Sequence, residues 1–152
     1  MVKVKGRKGN TVSFEIRGIG EVLRMLNSTK QQVENGTDLG VVRAGTFIEE
    51  EVKESVSGQR AETKSVDSGL LVRSIEMRKV AKASVMVEPK RRTYPGTRTT
   101  TQDVATILEK GTTRVLARRH FKNTLSRNRK KIKDIVSTEI KQNIRAKKIA
   151  GL

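Results

Sequence analysis

Strand-like and helix-like patterns of apolar residues succeed one another along the chain. Val12, Phe14 and Ile16 alternate with Ser13, Glu15 and Arg17, the period of a strand with one buried face, and Gly18 stops it. Val2 and Val4 supply a hairpin partner across residues 6–10. From Ile19 the period becomes helical, with Ile19, Val22, Leu23, Leu26 and Val33 on one stripe, and Asn35-Gly36 predicts a helix C-cap. A second helix is expected from Thr37 or Asp38. Its stripe is Val41, Ala44, Ile48, Val52 and Val56, its water-facing side holds Glu49, Glu50, Glu51 and Glu54, and Ser57-Gly58 closes it.

Residues 59–65 are polar and read as loop. After the Asp67-Ser68-Gly69 turn, Ile75, Met77 and Lys79 alternate, as do Val85 and Val87. The pattern predicts an antiparallel hairpin over residues 74–80 and 82–88, turning near Ala81. Residues 89–102 have no periodicity, four basic side chains and Pro95-Gly96, which predicts a flexible, basic surface loop. Asp103 is the expected cap of a short helix over 104–110, ended by Gly111. From about residue 116 to 148 one long amphipathic helix is expected, with Phe121, Leu125, Ile132, Ile135 or Val136, and Ile140 inward. Asn128 interrupts that stripe. Its outer face carries Arg127, Arg129, Lys130, Lys131, Lys133 and Lys141, and residues 145–152 read as a loose tail.

Composition sharpens the picture. The 152 residues suit a single domain, but only 34% are hydrophobic, below the roughly 45–50% of ordinary domains. Phe14, Phe47, Tyr94 and Phe121 are the only aromatic residues. A lean aliphatic core of this kind is expected to draw on a partner. Lys and Arg number 33 against 16 acidic residues, and residues 114–152 alone hold 13 basic and 2 acidic side chains. The absence of cysteine removes disulfides, thiolate metal sites and cysteine nucleophiles together. No apolar run of about 7–15 residues follows the basic N-terminus and none reaches about 18, so neither an export signal nor a membrane span is expected.

Candidate chemistry is sparse. His120 is the only histidine, and its setting in Arg118-Arg119-His120-Phe121 favours a surface or packing role over proton transfer. No His/Asp/Glu spacing suits zinc or a two-metal site. Neighbours in the run Glu49-Glu50-Glu51 point in different directions on a helix, so a solvated face outweighs a cation site. Gly6, Gly9, Gly18 and Gly20 fit neither a Walker A loop nor a dinucleotide fingerprint. An enzyme, a cofactor and a resident metal are therefore not expected. The charge permits phosphate binding by counterion release. Base stacking needs aromatic rings, however, and only Tyr94 in the basic loop is placed for it. A small, basic protein that binds nucleic acid without sequence preference is the competing expectation.

Three stretches, in order, carry a resemblance. Lys64-Ser65-Val66-Asp67-Ser68-Gly69-Leu70-Leu71-Val72-Arg73-Ser74-Ile75 resembles the P-V-D-T-G-x-L-x-x-S-I segment of the tailed-bacteriophage neck and minor tail-component proteins, the head-tail connector and tail-completion group. Val104 to Thr112, with Ala105, Glu109, Gly111 and Thr112, is similar to that family's A-x-x-x-E-x-G-T. Ala117-Arg118-Arg119-His120-Phe121 resembles its A-R-P-F, followed by a C-terminal helix. The resemblance spans residues 19–144. Ser65 stands for the usual Pro, Ser68 for Thr, Lys110 for an aromatic residue and Arg119-His120 for one Pro, and the basic loop is long for the family. Within these motifs Gly69 suits a positive φ, Ser68 a cap that aims Leu70 and Leu71 inward, and Ser74 lies where the hairpin begins. Glu109 at a helix end opposes the macrodipole, so Arg118 or Arg114 is the expected compensating cation.

The resemblance implies an α+β fold, an antiparallel sheet packed by two N-terminal helices and one long C-terminal amphipathic helix with an extended basic loop. It implies a structural virion protein of the head-tail interface, assembled in the host cytoplasm. Such a protein forms a homo-oligomeric ring, six-fold or a multiple, between portal or head-closure proteins and the tail terminator or tail tube, and the genome passes through it. A six-fold ring would carry roughly +100, enough to hold DNA fast if all of it lined the channel. Most of the C-terminal basic face is therefore expected to meet acidic neighbours or the outside. Lys90, Arg91, Arg92, Tyr94 and Arg98 are the better candidates for touching a neighbouring ring or the DNA.

Overall fold

A computed structural model describes the backbone of residues 2–6, 12–16, 30–65 and 68–149 and the side chains of residues 30–65 and 68–146. In chain order the elements are β1 (Val2–Gly6), β2 (Val12–Ile16), α1 (Lys30–Val56), α2 (Leu70–Ser74), β3 (Ile75–Ala81), β4 (Ser84–Pro89), α3 (Thr101–Lys110), α4 (His120–Arg127) and α5 (Arg129–Ile149). The fold is α+β. Its antiparallel sheet has the order β1-β2-β4-β3, with Phe14 opposite Val85 and Met77 opposite Val87.

Asn35-Gly36 does not end a helix. α1 runs unbroken for 27 residues, so the two expected N-terminal helices are one from Lys30 onward, and residues 17–29 lie outside the described part. The glycine serves close approach instead. A Cβ on Gly36 would stand 2.7 Å from Ile140 Cα, and one on Gly40 2.8 Å from Val136 Cα, so the backbones of α1 and α5 nearly touch. On another side of α1, a Cβ on Gly45 would meet Met77 Cγ and Val85 Cγ2 at 2.8 Å. α1 is thus wedged between α5 and the sheet. Val41, Ala44, Ile48, Val52 and Val56 meet Ile132, Val136 and Ile140 from α5, Ile75, Val85 and Val87 from the sheet, and Phe121 and Leu125 from α4 in one apolar core.

The glutamates of α1 also depart from expectation. Glu49 accepts the Met77 backbone N–H at 2.7 Å and pairs with Lys53. It covers an N–H of β3, the strand at the end of the sheet, where an unpaired donor would invite another chain. Glu51 is buried and bound by Arg60 and by the Asn128 amide at 3.1 Å, and Glu54 pairs with Arg60, which leaves Glu50 facing water. The acids compensate neighbouring donors.

The single long C-terminal helix resolves into α4 and α5, and it begins at His120 rather than near Leu116 because Arg119 turns left-handed, φ 53. The joint at Asn128 keeps the helical ladder, since its N–H reaches Thr124 O at 3.1 Å and its carbonyl accepts from Ile132 at 2.9 Å. Its side chain is the polar seat for Glu51. Residues 145–149, expected in a loose tail over 145–152, continue α5, and residues 150–152 lie outside the described part. Residues 90–100 form an exposed basic segment with hydrogen bonds of its own. Thr93 bridges Thr100, the Tyr94 N–H reaches Thr99 O at 3.0 Å, and the Thr97 N–H reaches Tyr94 O at 3.1 Å, a short ribbon turning at Pro95-Gly96. Thr100, not Asp103, caps α3. Asp103 is the third residue of a capping box, accepting the Thr100 N–H at 2.9 Å.

Candidate functional site

The three stretches of the resemblance meet around the start of α4. Gly69 precedes α2 at φ 72, and Ser68 Oγ accepts the Leu70 N–H at 3.4 Å. Leu71 enters the core while Leu70 stays half-buried, a partial departure from the expected inward pair. Ser74 is buried, and its hydroxyl closes α2 on Leu71 O at 2.7 Å.

Gly111 ends α3 at φ 75 with the backbone of residues 115–117 pressed on it, Ala117 N lying 2.8 Å from where a Cβ would be. Thr112 Oγ1 accepts the N–H groups of Arg114 and Val115 at 3.2 and 3.1 Å, which folds the chain back toward α3. Leu108 O then receives the N–H groups of Arg118 and Arg119 at 2.7 and 3.2 Å.

Glu109 is compensated differently from expectation. Its carboxylate accepts the N–H of Phe121 at 3.1 Å and that of Lys122 at 2.9 Å, the free donors at the start of α4. Those donors carry the positive end of the α4 dipole, so one carboxylate joins the end of α3 to the beginning of α4. Burial nevertheless pushes the Glu109 carboxyl above its ordinary value. Phe121 itself lies in the core. Arg118 is spent elsewhere: its Nη1 donates to Lys64 O at 2.9 Å and to Ser65 Oγ at 2.6 Å.

His120 is buried between two serines. Its Nδ1 lies 2.9 Å from Ser55 Oγ at the end of α1, and its Nε2 lies 2.7 Å from Ser65 Oγ. Ser55 donates to Glu62 at 2.8 Å, and Glu62 receives Arg127 at 2.9 Å. Burial lowers the His120 pKa, the Glu62 charge opposes that, and Arg118 adds to it. Burial pushes the Glu62 carboxyl up, but the hydrogen bonds from Arg127 and Ser55 outweigh it and hold the group below its ordinary value.

Beside Ser65 a cavity of about 300 Å³ is lined by Leu71, Val72, Tyr94, Thr97, Thr99 and Val104, among others. Among the described residues no cluster of acids and histidine could hold a metal, and no helix is long and apolar enough to cross a membrane. Compared with protein-family models, curated proteins and solved structures, the chain matches none.

The basic candidates divide into two groups. Arg91, Arg92 and Arg98 are exposed on the ribbon, while Lys90 pairs loosely with Glu76 at 3.8 Å and Tyr94 is half-buried in the cavity wall. On the C-terminal helices Arg129, Lys130, Lys133 and Lys141 are exposed. Lys131 sits 4.2 Å from the Phe47 ring, and Arg127, contrary to expectation, is engaged by Glu62 rather than standing free on the outer face. Among the described residues no carboxylate forms an ion pair with Arg92, Arg98, Arg129, Lys130 or Lys133. Ser55 and Glu62 were not candidates in the sequence, because neither stands within helical spacing of His120.

Proposed function

We propose that the chain is a structural protein of the phage head-tail interface, a neck, connector or tail-completion component that assembles with copies of itself into a ring around the genome. One observation carries the proposal. The three stretches that resemble the neck and minor tail-component family act on one another: Glu109 of the second caps the helix begun by the third, and Arg118 of the third binds Lys64 and Ser65 of the first. Chance matches have no reason to converge in this way.

Charge supports the same role. Among the described residues, Arg92 and Arg98 on the ribbon and Arg129, Lys130 and Lys133 on α5 are exposed and form no ion pair, which leaves two basic surfaces suited to neighbouring virion proteins or passing duplex DNA. The expected ring partners are portal or head-closure proteins on one side and tail terminator or tail tube on the other. Scattering and negative-stain imaging of the purified full chain, alone and with its docking partner, test the proposal. Ring-shaped oligomers are expected, with duplex binding that is weak at physiological salt. A monomer that remains monomeric with virion parts, and binds free duplex tightly with a steep salt dependence, would instead make it a non-specific nucleic-acid-binding protein.

A further inference from the structure

We propose that Ser65 and His120 form a nucleophile and general-base pair acting on small, apolar acyl esters bound in the cavity beside Ser65, with Ser55 and Glu62 positioning the imidazole. The inference goes beyond the architectural role and does not depend on it.

Counting protons fixes the direction of the network. An ionised Glu62 has no hydrogen to give, so the 2.8 Å contact is a bond donated by Ser55. Having spent its one hydrogen, Ser55 Oγ can only accept from His120 Nδ1 at 2.9 Å, so Nδ1 carries the imidazole hydrogen. A neutral ring then turns a bare Nε2 to Ser65 at 2.7 Å, and burial favours that neutral form. The Ser65 hydroxyl has a second acceptor in Thr63 O, at the longer distance of 3.1 Å. Arg118 donates to Ser65 Oγ from the other side at 2.6 Å. The chain of donors therefore runs one way, from Arg118 through Ser65, His120 and Ser55 to Glu62. It is the arrangement of an activated hydroxyl: nucleophile on base, base on an orienting group, and a cation on the nucleophilic oxygen.

Location separates the two serines. Ser55 is fully buried, whereas Ser65 is half-buried and lines the cavity of about 300 Å³, the small end of the range for ligand sites. Leu71, Val72 and Val104 give that cavity apolar walls, which suits a short acyl chain.

The chemistry balances without an outside oxidant or reductant. Ser65 Oγ attacks the ester carbonyl carbon, its proton passes to Nε2, and the carbonyl electron pair moves onto oxygen, with Arg118 supplying positive charge nearby. Collapse breaks the bond to the alkoxide, which takes the proton from Nε2 and leaves as alcohol. Water then attacks the acyl-serine, giving its proton to Nε2, and the returning proton restores the Ser65 hydroxyl as the carboxylic acid departs.

The test uses the full chain with a fluorophosphonate probe and with p-nitrophenyl butyrate, labelled residues being mapped by mass spectrometry. Labelling at Ser65 is expected, rising with pH as the imidazole loses its proton and then levelling. Ser65→Ala should abolish it, and His120→Gln should slow it on the order of 100-fold. Glu62→Gln removes a negative charge that favours the imidazolium, so its pH midpoint should move down, a shift that a packing role would not produce. Should Ser65→Ala fail to fold, Ser65→Cys is the second variant, and it should form an acyl-thioester with the butyrate ester at position 65. Folded wild type that is unlabelled at Ser65, or labelled equally fast in His120→Gln, would overturn the inference. Ring assembly is read separately by scattering, so an inert Ser65 in a normal ring would remove only this proposal.

Discussion

The seam between α1 and α5 and the joint around α4 hold one chain together by different means, although one ion pair, Arg43 with the buried Glu139, also crosses the seam. Along the seam Gly36 and Gly40 bring two helical backbones into contact, and Val41, Ile48, Ile132, Val136 and Ile140 fill the space around them. At the joint Glu109, Ser55, Ser65, Arg118 and Glu62 bind backbone donors and one another. Dispersion and burial act without direction, so the seam is sensitive to volume. Hydrogen bonds to buried groups act with direction, so the joint is sensitive to a single atom. In a chain with so little apolar material, the polar joint takes on positioning that a larger core would otherwise share.

The largest effect is expected at the seam. Gly40→Val places a side chain where even a Cβ is 2.8 Å from Val136 Cα, and backbone cannot yield as a side-chain tip can. A loss of about 3 kcal/mol or more is expected, read as a lower urea midpoint, whereas Gly40→Ala should fall between it and wild type. Equal stability of Gly40→Val and wild type would break the claim that backbones meet there.

At the joint, Glu109→Ala leaves the Phe121 and Lys122 N–H groups without their acceptor, at an expected cost of about 2 kcal/mol by chemical denaturation. Glu109→Gln keeps one carbonyl acceptor and should cost less. If both variants were as stable as wild type, the carboxylate would not be capping α4.

The joint should also respond to pH. Burial depresses the His120 pKa in the folded chain, so between that value and the ordinary one of about 6.5 the unfolded chain binds more protons. Stability contributed by neutral His120 is therefore full above about pH 6.5 and is lost as pH falls through the folded value. His120→Gln should flatten that part of the stability curve, measured against wild type from pH 8 downward; Gly40→Ala should leave its slope unchanged.

The contrast also explains what could be read in the sequence. Strands β2, β3 and β4, the apolar stripe of α1 and the turns at Gly69 and Gly111 follow from periodicity and glycine placement, which are local. Gly36 misled because a glycine after asparagine is equally suited to ending a helix or to letting another pass close, and only α5, about a hundred residues on, decides between them. Glu109 binds N–H groups that lie 12 and 13 residues ahead, and His120 meets serines 65 and 55 residues away. No periodic pattern encodes such pairs. The bonds across the ribbon at residues 90–100 could not be read from the sequence because they come from backbone groups and threonine hydroxyls, which leave no hydrophobic signature.

That ribbon gives the smallest effect on stability and the sharpest separation of folding from assembly. Lys90, Arg91, Arg92 and Arg98 lie outside seam and joint, and among the described residues only Lys90 of the four has an ion pair, a loose one with Glu76 across exposed surface. Changing all four to Ser should shift stability by less than about 0.5 kcal/mol, since exposed charges of this kind contribute little. On the proposed role, the same variant should impair neck assembly or genome retention, because it removes four positive charges from exposed surface. Particle yield and packaged DNA at wild-type levels would reject a role for the ribbon. A variant that unfolded would show instead that the ribbon braces the N-terminus of α3, where Thr101 Oγ1 donates to Lys90 O at 2.6 Å. Because that bond uses the Lys90 backbone and survives the substitution, a folded but assembly-deficient protein is the expected result.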